Sequence, residues 1–96
     1  MRYRLSEKAE KDLEDIFIEG ILAFGELQAL KYQDSFKRTI DLLAYMPSIG
    51  RKSERKNMTE RRFLHGSHVI YYRIEAEDII IENIIYGPII IDIWGR

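Results

Sequence analysis

Apolar and polar residues alternate over Met1–Leu5, a short segment that suits an edge strand. Ser6 then occupies a helix N-cap position, and Glu7 in the first turn favours the helix dipole. From there the period changes. Ala9, Leu13, Ile16, Phe17, Gly20 and Ile21 recur at three- and four-residue spacing, the pattern of an amphipathic helix. The acids Glu7, Glu10, Asp12, Glu14 and Asp15, supported by Lys8 and Lys11, are predicted to form its solvent face. Phe24-Gly25-Glu26 breaks the pattern. A second helix is predicted over Glu26–Tyr45, with Ala29, Tyr32, Phe36, Ile40 and Leu43 on one stripe. Pro47 stops it and Gly50 opens the next loop; with so short a link at Phe24-Gly25-Glu26, the two helices should form an antiparallel hairpin.

Residues 48–59 form a basic loop without periodicity, and beyond it the period becomes two. Arg61–His65 and His68–Glu75 are candidate strands joined by Gly66-Ser67, where glycine at the first central position suits a type II′ hairpin turn. Glu75-Ala76-Glu77-Asp78 makes another turn, and Ile79–Tyr86 a third long strand, broken by Gly87-Pro88. Ile70, Tyr72 and Ile74 share the face expected to lie under the helices; Val69, Tyr71 and Arg73 share the other. The apolar IIIDIW that follows lies near a sheet edge and is predicted to be covered, by the chain's own fold or by a partner segment. The order β-α-α-β-β-β predicts an α+β fold, a helical hairpin laid across a small, mainly antiparallel sheet, with residues 1–96 as one domain.

Composition narrows the function. Ninety-six residues without cysteine exclude a disulfide framework and a Cys-based zinc site, and fit a reducing cytoplasm. The first 20 residues are charged throughout and no long apolar run exists, so neither a secretory signal nor a membrane span is expected. The net charge of −1 hides an uneven distribution. Arg51–Arg62 holds six basic and two acidic residues, whereas five acids and one arginine follow Arg73. That is one positive surface for an acidic partner rather than the footprint of a general or sequence-specific nucleic-acid binder.

Candidate chemistry is sparse. His65 and His68 face each other across a tight turn, but zinc needs further ligands, and the nearest acids, Glu60 and Glu75, lie at the far ends of these strands. No metal and no cofactor are expected. Ser67 is a turn residue, no Gly-x-Ser-x-Gly elbow exists, and the six glycines are scattered rather than gathered into a phosphate loop. Metal-free RNA cleavage would need a cation, a base and an acid. Arg61 or Arg62 with His65 or Tyr86 are the residues available for it.

Four segments, YRLSEKAEKDLEDIF, FGELQALKYQDSF, LAYMPSIGR and RRFLHGSHVIYYRI, together resemble the ParE branch of the RelE/ParE toxin superfamily over roughly residues 3 to 87. The resemblance implies the β-α-α-β-β-β fold reached above from periodicity. It also implies a plasmid-stabilisation type toxin of a type II toxin–antitoxin pair, neutralised by a small ParD-like antitoxin. Ribosome-dependent nucleases of the superfamily typically carry arginine just after the histidine of the third-strand motif, where this chain has Val69. The ParE-like pattern S-H-x-I-x-Y-R is met by Ser67, His68, Ile70, Tyr72 and Arg73. The resemblance therefore implies inhibition of DNA gyrase by binding, with an mRNA endonuclease as the alternative and a non-toxic relic that keeps antitoxin binding as a third reading. Candidate target or antitoxin contacts are Arg51, Lys52, Arg55, Lys56 and Arg73 in the basic strands and loop, and Ile89, Ile91 and Trp94 in the tail. The chain departs from the family at Ile85-Tyr86-Gly87-Pro88-Ile89-Ile90, with tyrosine where a histidine commonly stands and isoleucine near the usual arginine. That departure implies an altered target contact or a weakened copy.

Overall fold

The computed structural model describes residues 1–53, 55 and 59–87. Along them run β1 (Arg2–Leu5), α1 (Glu7–Phe24), α2 (Glu26–Tyr45), a 3-10 turn (Pro47–Ile49), β2 (Arg51–Lys52), β3 (Glu60–His65), β4 (His68–Ile74) and β5 (Asp78–Tyr86). The sheet order is β1-β5-β4-β3-β2, with β1 parallel to β5 and every other pair antiparallel. The two-residue β2 is additional to the expected order and arises inside the basic loop, too short to leave a period of its own. IIIDIW lies outside the described residues.

Local chemistry accounts for the boundaries. Ser6 caps α1 by accepting from the Ala9 N–H at 3.0 Å. Gly25 alone separates the helices, at φ 91, a conformation side chains resist. The helices approach closely where Gly20 faces Ala29; a Cβ on Gly20 would stand 3.3 Å from that of Ala29. In the β3–β4 hairpin His65 pairs with His68, and Gly66 takes φ 56 as the first central residue of the turn.

The helical hairpin covers one face of the sheet. Ala9, Phe36, Ile40 and Leu43 pack there on Ile70, Tyr72, Ile79, Ile81 and Ile84, as the alternation of β4 predicted. Tyr72 also fastens the chain leaving α2. Its hydroxyl donates to the Pro47 carbonyl at 2.7 Å and accepts from the Gly50 N–H at 2.9 Å.

β5 does not alternate throughout. Tyr71 pairs with Asn83 but Tyr72 with Ile81, so Glu82 is an extra residue in a bulge. The phase shift returns Ile84 to the helix face and leaves Glu82 and Asn83 both on the other one, where they bond Arg73 and Arg55. A bulge strands backbone groups, and here the start of α1 supplies their partners. Ser6 Oγ donates to the Glu82 carbonyl at 2.7 Å, and Asp12 Oδ2 accepts from the Ile84 N–H at 2.8 Å. This corrects one expectation: Asp12 is 8% exposed and bound to the sheet rather than part of the solvent face. Its ion pair with Lys8 and that of Lys11 with Asp15 do form. Among the described residues no helix is long and apolar enough to cross a membrane.

Candidate functional site

The hairpin histidines meet α2. Thr39 Oγ1 lies 2.8 Å from His65 Nδ1 and Ser35 Oγ 2.7 Å from its Nε2. Ser35 already donates to the Tyr32 carbonyl, so it accepts from Nε2–H, and Thr39 donates to Nδ1. Both ring nitrogens of His65 are thus engaged, an arrangement that suits the neutral ring. Burial, aided by the nearby Arg38 cation, holds its pKa below the usual histidine value. The Tyr32 hydroxyl accepts from the Ser67 N–H at 3.1 Å and reaches His68 Nδ1 at 2.8 Å. Burial also lowers the His68 pKa, with His65 contributing. Phe36 packs between the two imidazoles, 4.5 Å from the His65 ring centre and 5.6 Å from that of His68. Beside them a cavity of about 460 Å³ is walled by α1 and α2, mostly through apolar residues but with Glu19, Gln28 and Gln33, together with Ser67, His68 and Tyr86. At the tip of the helical hairpin Leu22, Phe24 and Leu27 are 83%, 75% and 69% exposed.

The opposite face of the sheet carries charge in place of rings. Glu60 is fully buried. Arg55 meets its carboxylate through Nη2 at 2.7 Å and Nε at 3.2 Å, donates to Asn83 Oδ1 at 2.6 Å, and lies 3.6 Å from the centre of the Tyr71 ring. Ser53 Oγ donates to Glu60 at 3.0 Å. Arg73 binds Glu82 at 2.8 Å and Glu75 at 3.0 Å. Burial pushes the Glu60 and Glu82 carboxyls up. For Glu60 the bonds from Arg55, Glu82 and Ser53 outweigh it and hold the group below the usual carboxylate range. For Glu82 the ionised Glu60 adds to burial and the pKa rises, despite Arg73.

A stability profile should register this split. The raised Glu82 pKa means the folded state binds the extra proton, so its contribution is lost as pH rises through that value. The depressed Glu60 pKa gives a contribution lost as pH falls through it. Glu82→Gln, which keeps a hydrogen-bond donor without the charge, should flatten the loss on the alkaline side in urea titrations from pH 5 to 9. An unchanged profile would contradict the raised Glu82 pKa.

The structure separates the residues offered for RNA cleavage. Arg61 lies on the helix face and donates to the Gly50 carbonyl at 2.7 Å and, more weakly, to that of Ser48 at 3.4 Å. Arg62 points to the other face. His65 lies four residues along β3 from Arg61, about 13 Å at strand rise, with both ring nitrogens engaged. Tyr86 is half exposed, its ring 5.8 Å from that of His68. Of the contact candidates, Arg51 and Lys52 stand exposed on β2, while Arg55 and Arg73 are held by the acids above. Lys56, Ile89, Ile91 and Trp94 lie outside the described residues. Tyr32, Glu60 and Glu82 were not among the candidates. The adjacent polar pair Glu82-Asn83 inside an isoleucine run was the one sequence signal for the bulge. Among the described residues no group of three or more His, Asp or Glu side chains is placed to hold a metal ion.

Comparison with known proteins follows the same lines. The family model described as "ParE toxin of type II toxin-antitoxin system, parDE" matches residues 3–87. Toxin ParE1 of Caulobacter vibrioides is 38% identical over 72 residues, 75% of each chain. Toxin ParE1 of Mycobacterium tuberculosis is 34% identical over 79 residues, 82% of this chain and 81% of that one. Among solved structures, the chromosomal ParDE system of P. aeruginosa superposes with a TM-score of 0.77 at 22% identity, covering 90% of this chain and 95% of that one. The RelBE2 toxin–antitoxin complex of M. tuberculosis superposes at 0.51 with 17% identity, covering 88% and 95%.

Proposed function

Because the chain belongs to the ParE toxin family of type II toxin–antitoxin systems, we propose that it acts by binding, inhibiting DNA gyrase, and is neutralised by a small ParD-like antitoxin. The observation that carries the binding reading is the state of the polar groups nearest to a reaction centre. His65 has both ring nitrogens bonded, Arg61 is bonded to main-chain carbonyls, and Arg61 and Arg62 project from opposite faces of one strand. Proton transfer and phosphate stabilisation need such groups to converge on one atom. The exposed Leu22, Phe24 and Leu27, all near the tip of the helical hairpin, support a partner that covers them.

The test is expression of the chain alone and with its neighbouring antitoxin. Growth should stop in the first case and continue in the second, and purified protein should block supercoiling by gyrase. Normal supercoiling at stoichiometric excess, with growth still arrested, would reject the gyrase assignment. Ribosome-dependent cleavage of transcripts would reject the binding mechanism.

A further inference from the structure

Net charge and composition favour an acidic partner over a general nucleic-acid binder, but the local register revises that expectation: we propose that the β2–β3 edge of the sheet is a phosphate-contacting surface that takes the backbone of duplex DNA without reading its sequence. The register sets Arg51 opposite Arg62 and Lys52 opposite Arg61, two successive like-charge rungs. Like charges directly opposite destabilise a strand pair, so the free protein gains nothing from this pairing. Neither Arg51 nor Lys52 has a carboxylate partner among the described residues, and both are exposed.

Two neighbouring cations make the edge stiff. Arg61 is tied to the Gly50 carbonyl immediately before β2. Arg55, past its other end, is anchored by Glu60, Asn83 and the Tyr71 ring. The Ser53 N–H, donating to the Glu60 carbonyl at 2.8 Å, continues the ladder between them. The cations are therefore presented on a fixed two-stranded ribbon at a sheet edge, on both of its faces. Fixed cations on rungs a few ångströms apart suit a polyanion with regularly spaced single charges. Phosphate is that anion, and its neutralisation releases condensed counterions. The inference stands apart from the gyrase reading, because it concerns the isolated chain and DNA.

The experiment is fluorescence anisotropy of a labelled 20-base-pair duplex titrated with the purified chain between 50 and 200 mM salt. Binding should be in the micromolar range, equal for unrelated sequences, with log K falling steeply against log salt. Arg51→Ala/Lys52→Ala should reduce that slope by roughly two and weaken binding about tenfold at the lowest salt. Its circular dichroism melt should be no lower than the parent's, since both side chains are exposed and their like-charge pairing stabilises nothing. Lys11→Ala/Lys37→Ala, which removes two cations elsewhere, should leave the slope unchanged. No DNA binding, or equal losses in the two double variants, overturns the proposal. So does binding of a glutamate-rich peptide, lost in Arg51→Ala/Lys52→Ala, where DNA does not bind; that would assign the edge to an acidic protein. Gyrase inhibition that survives the loss of DNA binding would leave the function above intact while refuting this surface.

Discussion

Arg55→Ala should be among the most damaging single substitutions, lowering stability by about 3–5 kcal/mol, the range for removing one partner of a buried ion pair. Glu60 is fully buried, and without the guanidinium its carboxylate would lose its charge partner and keep the Ser53 hydroxyl as a donor. The same change uncovers the Tyr71 ring and takes the donor from Asn83. Arg55→Lys should fall between, because an ammonium cannot match the forked contact. Urea unfolding followed by circular dichroism measures all three proteins. The loss should be larger at pH 8 than at pH 5, since an orphaned Glu60 can escape its penalty by taking up a proton. Glu60→Gln in the Arg55→Ala background should recover part of it. A loss below about 1 kcal/mol is the value expected of an exposed pair, and would show that the contact contributes as a surface ion pair does.

Gly50→Ala should cost about 3 kcal/mol, combining overpacking with a broken hydrogen bond. A Cβ there would fall 2.2 Å from the Tyr72 hydroxyl and within 2.8 Å of two ring carbons. Backbone strain is not involved, because φ at Gly50 is −72, ordinary for alanine. The ring has nowhere to go: Tyr72 is fully buried between the sheet and α2, and its hydroxyl is engaged on both sides. Tyr72→Phe isolates the hydrogen-bonding part and should cost about 1–3 kcal/mol by leaving the Gly50 N–H without its partner. At roughly 4–8 °C per kcal/mol for a domain of this size, thermal melts resolve the two. Equal melting temperatures for Gly50→Ala and the parent would contradict the close packing of this turn.

Much of the architecture was legible in the sequence, for identifiable reasons. α2 runs over Glu26–Tyr45 as expected, because glycine and proline punctuate a regular apolar stripe. Ser6 caps α1, and the Gly66-Ser67 turn fixes β3 against β4. What escaped depends on contacts distant in the chain. Two residues cannot carry a period, so β2 read as loop. Asp12 reads as one more acid of α1, and its bond to the Ile84 N–H, 72 residues on, is what sets it apart. Arg55 sits in a segment that reads as solvated cations; its partners Glu60 and Asn83 come from different strands, and Asn83 meets it because of the bulge. The candidate site was legible in outline as a basic region, and the division between cations spent internally and cations left outward was not.

The seal on the bulge also bears on how the molecule is made. Ser6 and Asp12 satisfy Glu82 and Ile84, and β1 docks alongside β5, so β1 and the start of α1 finish against a strand more than 70 residues further along the chain. Such high contact order slows folding. Until β5 clears the exit tunnel, the apolar stripe of α1 has no sheet to lie on, and the nascent chain is open to capture or degradation. Truncation inside β5 therefore removes more than its own nine residues, because it withdraws the closing element on which the amino-terminal half depends.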